Sequence, residues 1–418
     1  MYIKKILFIA ILLATYNTTL LANSVVTLEN FCGRNQQLLV VSGEVLPELV
    51  GATVDRITVF KWSGAGLEAV PFQIDQKDED NRYIMPATDN AKTSGETSSF
   101  DSNDEIALLI QDAGERITKL PEQNGQDSLM ALEIKNPGDA VSRWLYFKKN
   151  AAFSSKAVRS YINYSISLDT VSTETFQLGF SKETPFLIDT FNWRAGFAAP
   201  WSPDIADVMK IRHTGKLFGF IDFERNAADY HSELIAVKQG PMRIIRRTEN
   251  KVSMFWKLKS PSVLVDYVIT PDGFTMDTII DIPFRVGLFF SDLVTMTTMD
   301  WNSSTDLPVL TIRTDTQAND LVVDGKMSAD KIAFNGLAQN TFGIDSHLGK
   351  VQMTLTIPDD FPITSRLYLR DDLSEADAPE QDTGQFGNVG FTTTGWENIN
   401  TEVHHMEFKA CLSRHKVP

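Results

Sequence analysis

Val263-Leu264-Val265-Asp266-Tyr267-Val268-Ile269-Thr270, Pro271-Asp272-Gly273 and then Phe274-Thr275-Met276-Asp277-Thr278-Ile279-Ile280 form the stretch that decides the fold class. Two runs rich in β-branched and aromatic residues flank a turn signal. Proline presets the first turn position and glycine accepts the left-handed one, so residues 263–270 and 274–282 read as the arms of a hairpin. The same texture extends in both directions. Residues 37–45, 54–62 and 105–111 are short apolar or β-branched runs bounded by turns, and 142–149 and 157–168 continue the pattern. Further on, 321–327 reads as a second hairpin around Asp324-Gly325, followed by strands over 351–357, 365–370 and 403–411. No amphipathic helix longer than about three turns interrupts them. Strands at this spacing without alternating helices imply an all-β protein of antiparallel β-sandwich domains, not a parallel α/β sheet. The absence of a repeat of roughly 20–50 residues disfavours propellers and solenoids.

A chain of 418 residues is too long for one ordinary core. The polar, small-residue stretch at 149–156 is the natural boundary. It divides a first sandwich over 25–150 from residues 151–418, which form a larger sandwich or two smaller ones. Two loops stand out: 75–104, acidic and rich in Ser and Thr, and 371–384, with six acids and no base, which is expected to be mobile. At 43% hydrophobic and 22% charged, the chain has ample material for packed cores. Its net charge of −15 argues against a nucleic-acid binder or a general binder of anionic membranes, because those surfaces repel it.

Residues 1–24 read as a signal peptide. Lys4 and Lys5 form the charged start, Ile6 to Ala14 is an apolar run too short to span a bilayer, and Ala22-Asn23-Ser24 offers a small-x-small cleavage pattern. Its removal takes away two lysines and no acids, so the mature chain is still more acidic. No later apolar run is long enough to span a membrane, and an exported, periplasmic or extracellular location is expected. The two cysteines, Cys32 and Cys411, lie at opposite ends of the mature chain. An isolated pair in an oxidising compartment is expected to bridge as a structural staple.

The chain lacks the nucleophile elbow, the zinc-binding helix, the Walker loop and the dinucleotide fingerprint. Of its histidines, His404 and His405 are adjacent on a predicted strand, so they point to opposite faces and cannot clamp one ion. Four groups remain as candidates. Asp101, Asn103 and Glu105 alternate in an acidic segment and could supply oxygen ligands to calcium, although the EF-hand glycine position is Ile106; the plain alternative is a solvated turn. Phe191, Trp193, Arg194 and Trp201 lie in a proline-bounded, non-periodic region, where rings could stack on a sugar or plug the end of a sandwich. Residues 238–259 hold seven bases, among them Arg243 and Arg246, against the single acid Glu249. Such a band could hold an anionic glycan or be paired with acids of neighbouring strands. Tyr230 and Arg225, flanked by Asp222, Glu224 and Asp229, could serve a lyase, with the tyrosine moving the proton.

Gly240-Pro241-Met242-Arg243-Ile244-Ile245-Arg246, followed by Val263 to Tyr267 and the Pro-Asp-Gly turn, resembles the large-sandwich domains of galactose-mutarotase-like proteins. That group includes the supersandwich domains of polysaccharide lyases. The resemblance covers about residues 180–300 and implies a carbohydrate-active or carbohydrate-binding domain. The catalytic histidine pattern of true mutarotases has no counterpart here, so no catalytic residue is carried over. Two further segments, 70–75 together with 101–114, and 384–396, are motif-like without a named function.

Two functions follow as expectations. One is an exported protein that binds or processes a polysaccharide. The other is a non-catalytic structural or interaction module of the cell envelope or an extracellular assembly, with a protein partner. Convergence of Trp193, Arg194, Trp201, Arg243 and Arg246 on one cleft is the discriminator: it favours the glycan, whereas scatter favours the interaction module.

Overall fold

The computed structural model describes residues 21–27, 38–86, 98–118, 129–135, 141–149, 159–194, 199–255, 258–317, 319–377 and 384–414. Its sheets are almost wholly antiparallel, and the described residues include one α-helix, Ala329–Phe334. The all-β sandwich reading holds.

The N-terminal part is two facing sheets. A five-stranded sheet orders Leu21–Thr27, Leu129–Lys135, Arg143–Lys148, Thr58–Trp62 and Leu67–Ala69, with its first pair parallel. A three-stranded sheet orders Leu38–Ser42, Glu105–Leu109 and Gln73–Asp75. Alternate residues Leu39, Val41, Ile106 and Leu108 meet Val59, Leu132, Leu145 and Phe147 in a core built from this part alone. Strand Glu105–Leu109 is apolar on both faces because its other face, Ala107 and Leu109, packs on Met242 of the C-terminal part. The expected leader lies for the most part outside the described residues, and its last four residues open strand Leu21–Thr27. The expected boundary at 149–156 also falls almost entirely outside them.

The C-terminal part sets a ten-stranded sheet against two smaller ones. The large sheet runs Tyr230–Gln239, Ile244–Phe255, Val263–Thr270, Gly273–Asp281, Val403–Arg414, Gly349–Thr356, Thr341–Asp345, Thr311–Arg313 and Leu321–Val322, with Leu258–Lys259 pairing beside it. Facing it are a five-stranded sheet (Ile221–Asn226, Ala206–Leu217, Phe290–Trp301, Gly384–Thr394, Thr364–Ala376) and a four-stranded one (Ile188–Trp193, Phe176–Phe180, Thr170–Thr173, Ile162–Ser165). The deciding hairpin lies at the centre of the large sheet. Its register runs from Leu264 opposite Ile279 to Thr270 opposite Gly273, and the Asp272 carboxylate accepts from Thr270 Oγ1 at 2.7 Å across the turn. Its inward residues Val265, Tyr267, Ile269, Phe274 and Met276 enter a core that spans all three sheets.

Two expectations are corrected. Asp324-Gly325 is not the turn of a hairpin over 321–327. Strand Leu321–Val322 ends before it, and both amides donate 3.0 Å bonds to the Asp371 carboxylate. The chain then enters helix Ala329–Phe334, capped by the Ser328 side chain. Nor is 371–384 a loop throughout: Thr364–Ala376 and Gly384–Thr394 extend as paired strands, and Asp371 is fully buried. A carboxylate accepting three backbone amides and a lysine is a structural hub, which an acid count cannot distinguish from a solvated loop.

Candidate functional site

The motif-like segments 70–75 and 101–114 meet the basic band where the two parts touch. Gln73 Oε1 accepts from the amides of Met242 and Arg243 at 3.2 and 3.0 Å. The Arg243 guanidinium reaches Asp75 and Glu105, each at 2.6 Å, and lies over the Tyr83 ring. Lys238 completes the Asp75 site at 3.0 Å, and Lys77 pairs with Glu105. Burial pushes the Asp75 carboxyl up, but Arg243 and Lys238 pull harder, and its pKa ends below the ordinary value. Glu105 is lowered in the same way by Arg243 and Lys77 against its own burial. Arg243 is therefore a latch between the two parts, where the sequence placed it as a glycan ligand.

The other ligand candidates scatter. Trp193 is buried in the core, edge-on to Phe191 at 5.2 Å. Arg194 donates to the carbonyls of Glu174 and Thr173 and lies 4.2 Å from the centre of the Trp201 ring. Arg246 is fully buried, paired through Nε with Asp169 at 2.7 Å and lying over Phe180. Of the five, Arg194 and Trp201 lie against each other. The expected single cleft is not formed, because the arginines answer acids far away in the chain and Trp193 answers the core.

The calcium candidates are similarly divided. Asp101 Oδ1 accepts the amides of Asn103 and Asp104 at 3.2 Å, and the Asn103 amide group bonds the Asp78 carbonyl at 2.7 Å. Glu105 is turned toward Arg243, Lys77 and Tyr83. Among the described residues no group of three or more His, Cys, Asp or Glu gathers as a metal site. His404 stacks on Phe361 at 4.3 Å, while His405 faces the other way to Asp277 at 3.1 Å, as strand alternation requires. Cys411 is buried on strand Val403–Arg414, and Cys32 lies outside the described residues.

Tyr230 and Arg225 do not face one another. Arg225 donates Nε to the Ser253 carbonyl at 2.6 Å, whereas Tyr230 points between the sheets. The turn that places it is well specified. Strand Ile221–Asn226 of the five-stranded sheet leads through a capped turn, Asn226 Oδ1 to the Ala228 amide at 2.9 Å and Asp229 Oδ2 back to the Asn226 amide at 3.0 Å. The next residue, Tyr230, opens the edge strand of the large sheet. Its hydroxyl lies 2.7 Å from His213 Nε2, and His213 Nδ1 lies 2.9 Å from Thr295 Oγ1 on the paired strand. Burial lowers the His213 pKa to about 4, with the Asp229 charge partly opposing, so the imidazole is neutral at pH 7. Burial also pushes the Tyr230 hydroxyl well above its ordinary value.

This neutral pair lies in the wall of a cavity of about 200 Å³ between the two sheets. Met209, Ile211 and Thr297 line it from one side, and Val265, Met276 and Met406 from the other. Phe223, Phe284 and Phe290 line it as well. The lining is apolar apart from the hydroxyls of Tyr230, Ser260, Thr278, Thr295 and Thr297, the imidazole and Asn250. The sequence reading picked out Tyr230 but gave it the wrong partner. It missed His213 because one histidine on a strand carries no spacing signal.

No protein-family model matches the chain, and no curated protein matches it. Among solved structures it is similar to an alpha-mannosidase from Enterococcus faecalis V583, with a TM-score of 0.44 at 8% identity over 91% of this chain and 42% of that one. A second is a protein in glycosyl hydrolase family 38 from Enterococcus faecalis, with a TM-score of 0.43 at 8% identity over 91% of this chain and 43% of that one. The chain thus spans less than half the length of either protein. Both likenesses are too loose to carry an argument about chemistry.

Proposed function

We propose that this protein is an exported binding protein for a small apolar molecule bearing one neutral polar group, held between the sheets of its larger sandwich. The supporting observation is the apolar cavity of about 200 Å³ with the His213–Tyr230 pair in its wall. An apolar cavity of about 150 Å³ takes benzene, so a ring with one or two substituents fits here. Both His213 nitrogens are taken, by Tyr230 and Thr295, so the Tyr230 hydroxyl is the member of the pair with an uncharged hydrogen-bonding position left, which favours a hydroxyl over a carboxylate. The test is ¹⁹F NMR of 4-fluorophenol against 4-fluorobenzoate. Binding of the phenol alone is expected, and Ile211→Trp, which fills the cavity, should weaken it at least tenfold while the fold is kept. Equal binding of both probes, or binding unchanged in Ile211→Trp, removes this reading.

The glycan expectation has one specific support of its own. An open groove of about 810 Å³ is lined by Thr316, Gln339, Asn340, Gln352 and Asp359, amides and oxygens suited to sugar hydroxyls. Affinity electrophoresis through neutral and anionic polysaccharide gels tests it, run with calcium and with chelator to test the Asp101 segment as well. Retardation that is lost in Gln352→Ala supports this groove; free migration in every gel ends the glycan reading.

A further inference from the structure

The end of the sandwich beside the cavity carries an unusual tip. The hairpin between strands Ala206–Leu217 and Ile221–Asn226 turns through Phe218-Gly219-Phe220. Phe218 is 50% exposed, Phe220 75% and Ile221 45%, and the neighbouring turn adds Leu288 at 69% and Phe289 at 38%. The two turns are joined: the Phe218 amide donates to the Phe289 carbonyl at 2.7 Å, and their rings lie 6.2 Å apart. Phe218 holds φ at +54°, a left-handed conformation that a bulky residue adopts at a cost of order 1 kcal/mol or more. Turns ordinarily carry Gly, Asn, Asp or Ser. A strained phenylalanine presented to solvent at a turn has no role in the core.

We infer that this tip inserts into a lipid surface. Three observations select lipid over a protein partner. The tip is made of two turns rather than of a flat sheet face, so it enters a soft surface more readily than it matches a rigid one. Five side chains at these exposures present on the order of 500 Å², short of the roughly 800 Å² per partner of a stable protein interface. The tip is also continuous with the cavity. Phe289 contacts Phe284 at 5.2 Å, and Phe290 contacts Phe223 at 5.0 Å; Phe284, Phe290 and Phe223 are cavity wall. A ligand entering from lipid would therefore meet these phenylalanines on its way in, a point that rests on the cavity reading above. The five tip residues themselves carry no charge, Lys216 and Asp222 just behind them are paired with each other, and the exposed flanking Arg285 and Asp292 are of opposite sign. Insertion is thus apolar and does not depend on anionic lipid, which suits a chain with a net charge of −15.

The experiment is co-sedimentation of the full chain with phosphatidylcholine vesicles, at low and high salt, for the wild type and for a Phe220→Ser, Leu288→Ser double variant. Binding that persists at high salt and falls at least tenfold in the variant is expected. The variant should keep its thermal unfolding temperature, which separates loss of contact from loss of fold. No sedimentation of the wild type, equal sedimentation of the variant, or release by salt overturns the inference. So does a wild-type oligomer that the variant dissolves, since the tip would then serve a second copy. 4-Fluorophenol binding in solution is measured on the same variant: if it is retained while vesicle binding is lost, the tip and the cavity are distinguished. Failure of the phenol to bind either protein counts against the cavity reading alone.

Discussion

Arg243→Met is expected to destabilise the protein by about 3 kcal/mol, because it removes the one cation shared by the buried Asp75 and the part-buried Glu105 and leaves each with a single lysine. Arg243 is 2% exposed and Asp75 0%, and the guanidinium reaches Asp75 and Glu105 at 2.6 Å each. Methionine retains much of the aliphatic volume and none of the charge. Asp75 then keeps Lys238 and the Gln73 amide, and Glu105 keeps Lys77 and the Tyr83 hydroxyl. The expected result in urea at pH 7 is an earlier transition, with the N-terminal core separating from the C-terminal one. A loss below about 1 kcal/mol would sink the latch assignment. Replacing the acids as well, as Arg243→Met with Asp75→Leu and Glu105→Gln, should recover part of the loss, because the fully buried Asp75 charge is then gone and only the part-exposed Lys238 and Lys77 lose their partners. The pH dependence has a definite sign. The pKa values of both carboxyls are held below their ordinary values in the folded chain. Their contribution is therefore present above the unfolded carboxyl range, near pH 4, and is lost as pH falls through the folded values. Acid loosens the latch; mild alkali leaves it intact.

The second large effect belongs to His213. Its pKa falls from 6.5 to about 4 on burial. Below pH 6.5 the unfolded chain takes up a proton that the folded chain refuses until about pH 4, so stability is lost across that window. The difference corresponds to about 3 kcal/mol. In His213→Gln, which does not titrate, this part of the slope should vanish. The stability gap between wild type and variant, measured by urea denaturation at pH 7 and pH 4, should shift by that amount. A gap that stays constant would mean that the ring is not held neutral between the sheets. His405 works in the opposite direction: its bond to Asp277 raises its pKa, so its contribution is full below the unfolded value and fades as pH rises. Comparison at one position removes His405 and the carboxylates from the difference.

The candidate site was less legible than the fold, and particular residues show why. The run of bases at 238–259 was plain in the sequence, but whether it was a ligand site or a set of ion pairs depended on what faced it. Asp75 lies 168 residues from Arg243, and Asp169 lies 77 from Arg246. Asp324-Gly325 carried a good hairpin signal that lost to Asp371, a carboxylate 46 and 47 residues away, which takes both amides. Tyr230 was noticed, yet its partner came from the opposite sheet. The tip does leave a trace in the sequence, Gly219 between Phe218 and Phe220 where a turn ordinarily carries polar residues.

By itself the amino-acid sequence determined the all-β class and the central hairpin. Alternation at 263–270 and the chemistry of Pro271-Asp272-Gly273 are properties of neighbouring residues, and neighbours are what a strand and its turn consist of. Tertiary structure alone decided that Arg243 is a latch, that Asp371 is a hub, and that His213 meets Tyr230 in a cavity. Each depends on which groups two sheets bring face to face, and the free energy of a buried charge or an unfilled volume is set by those distant partners, not by the residue that carries it.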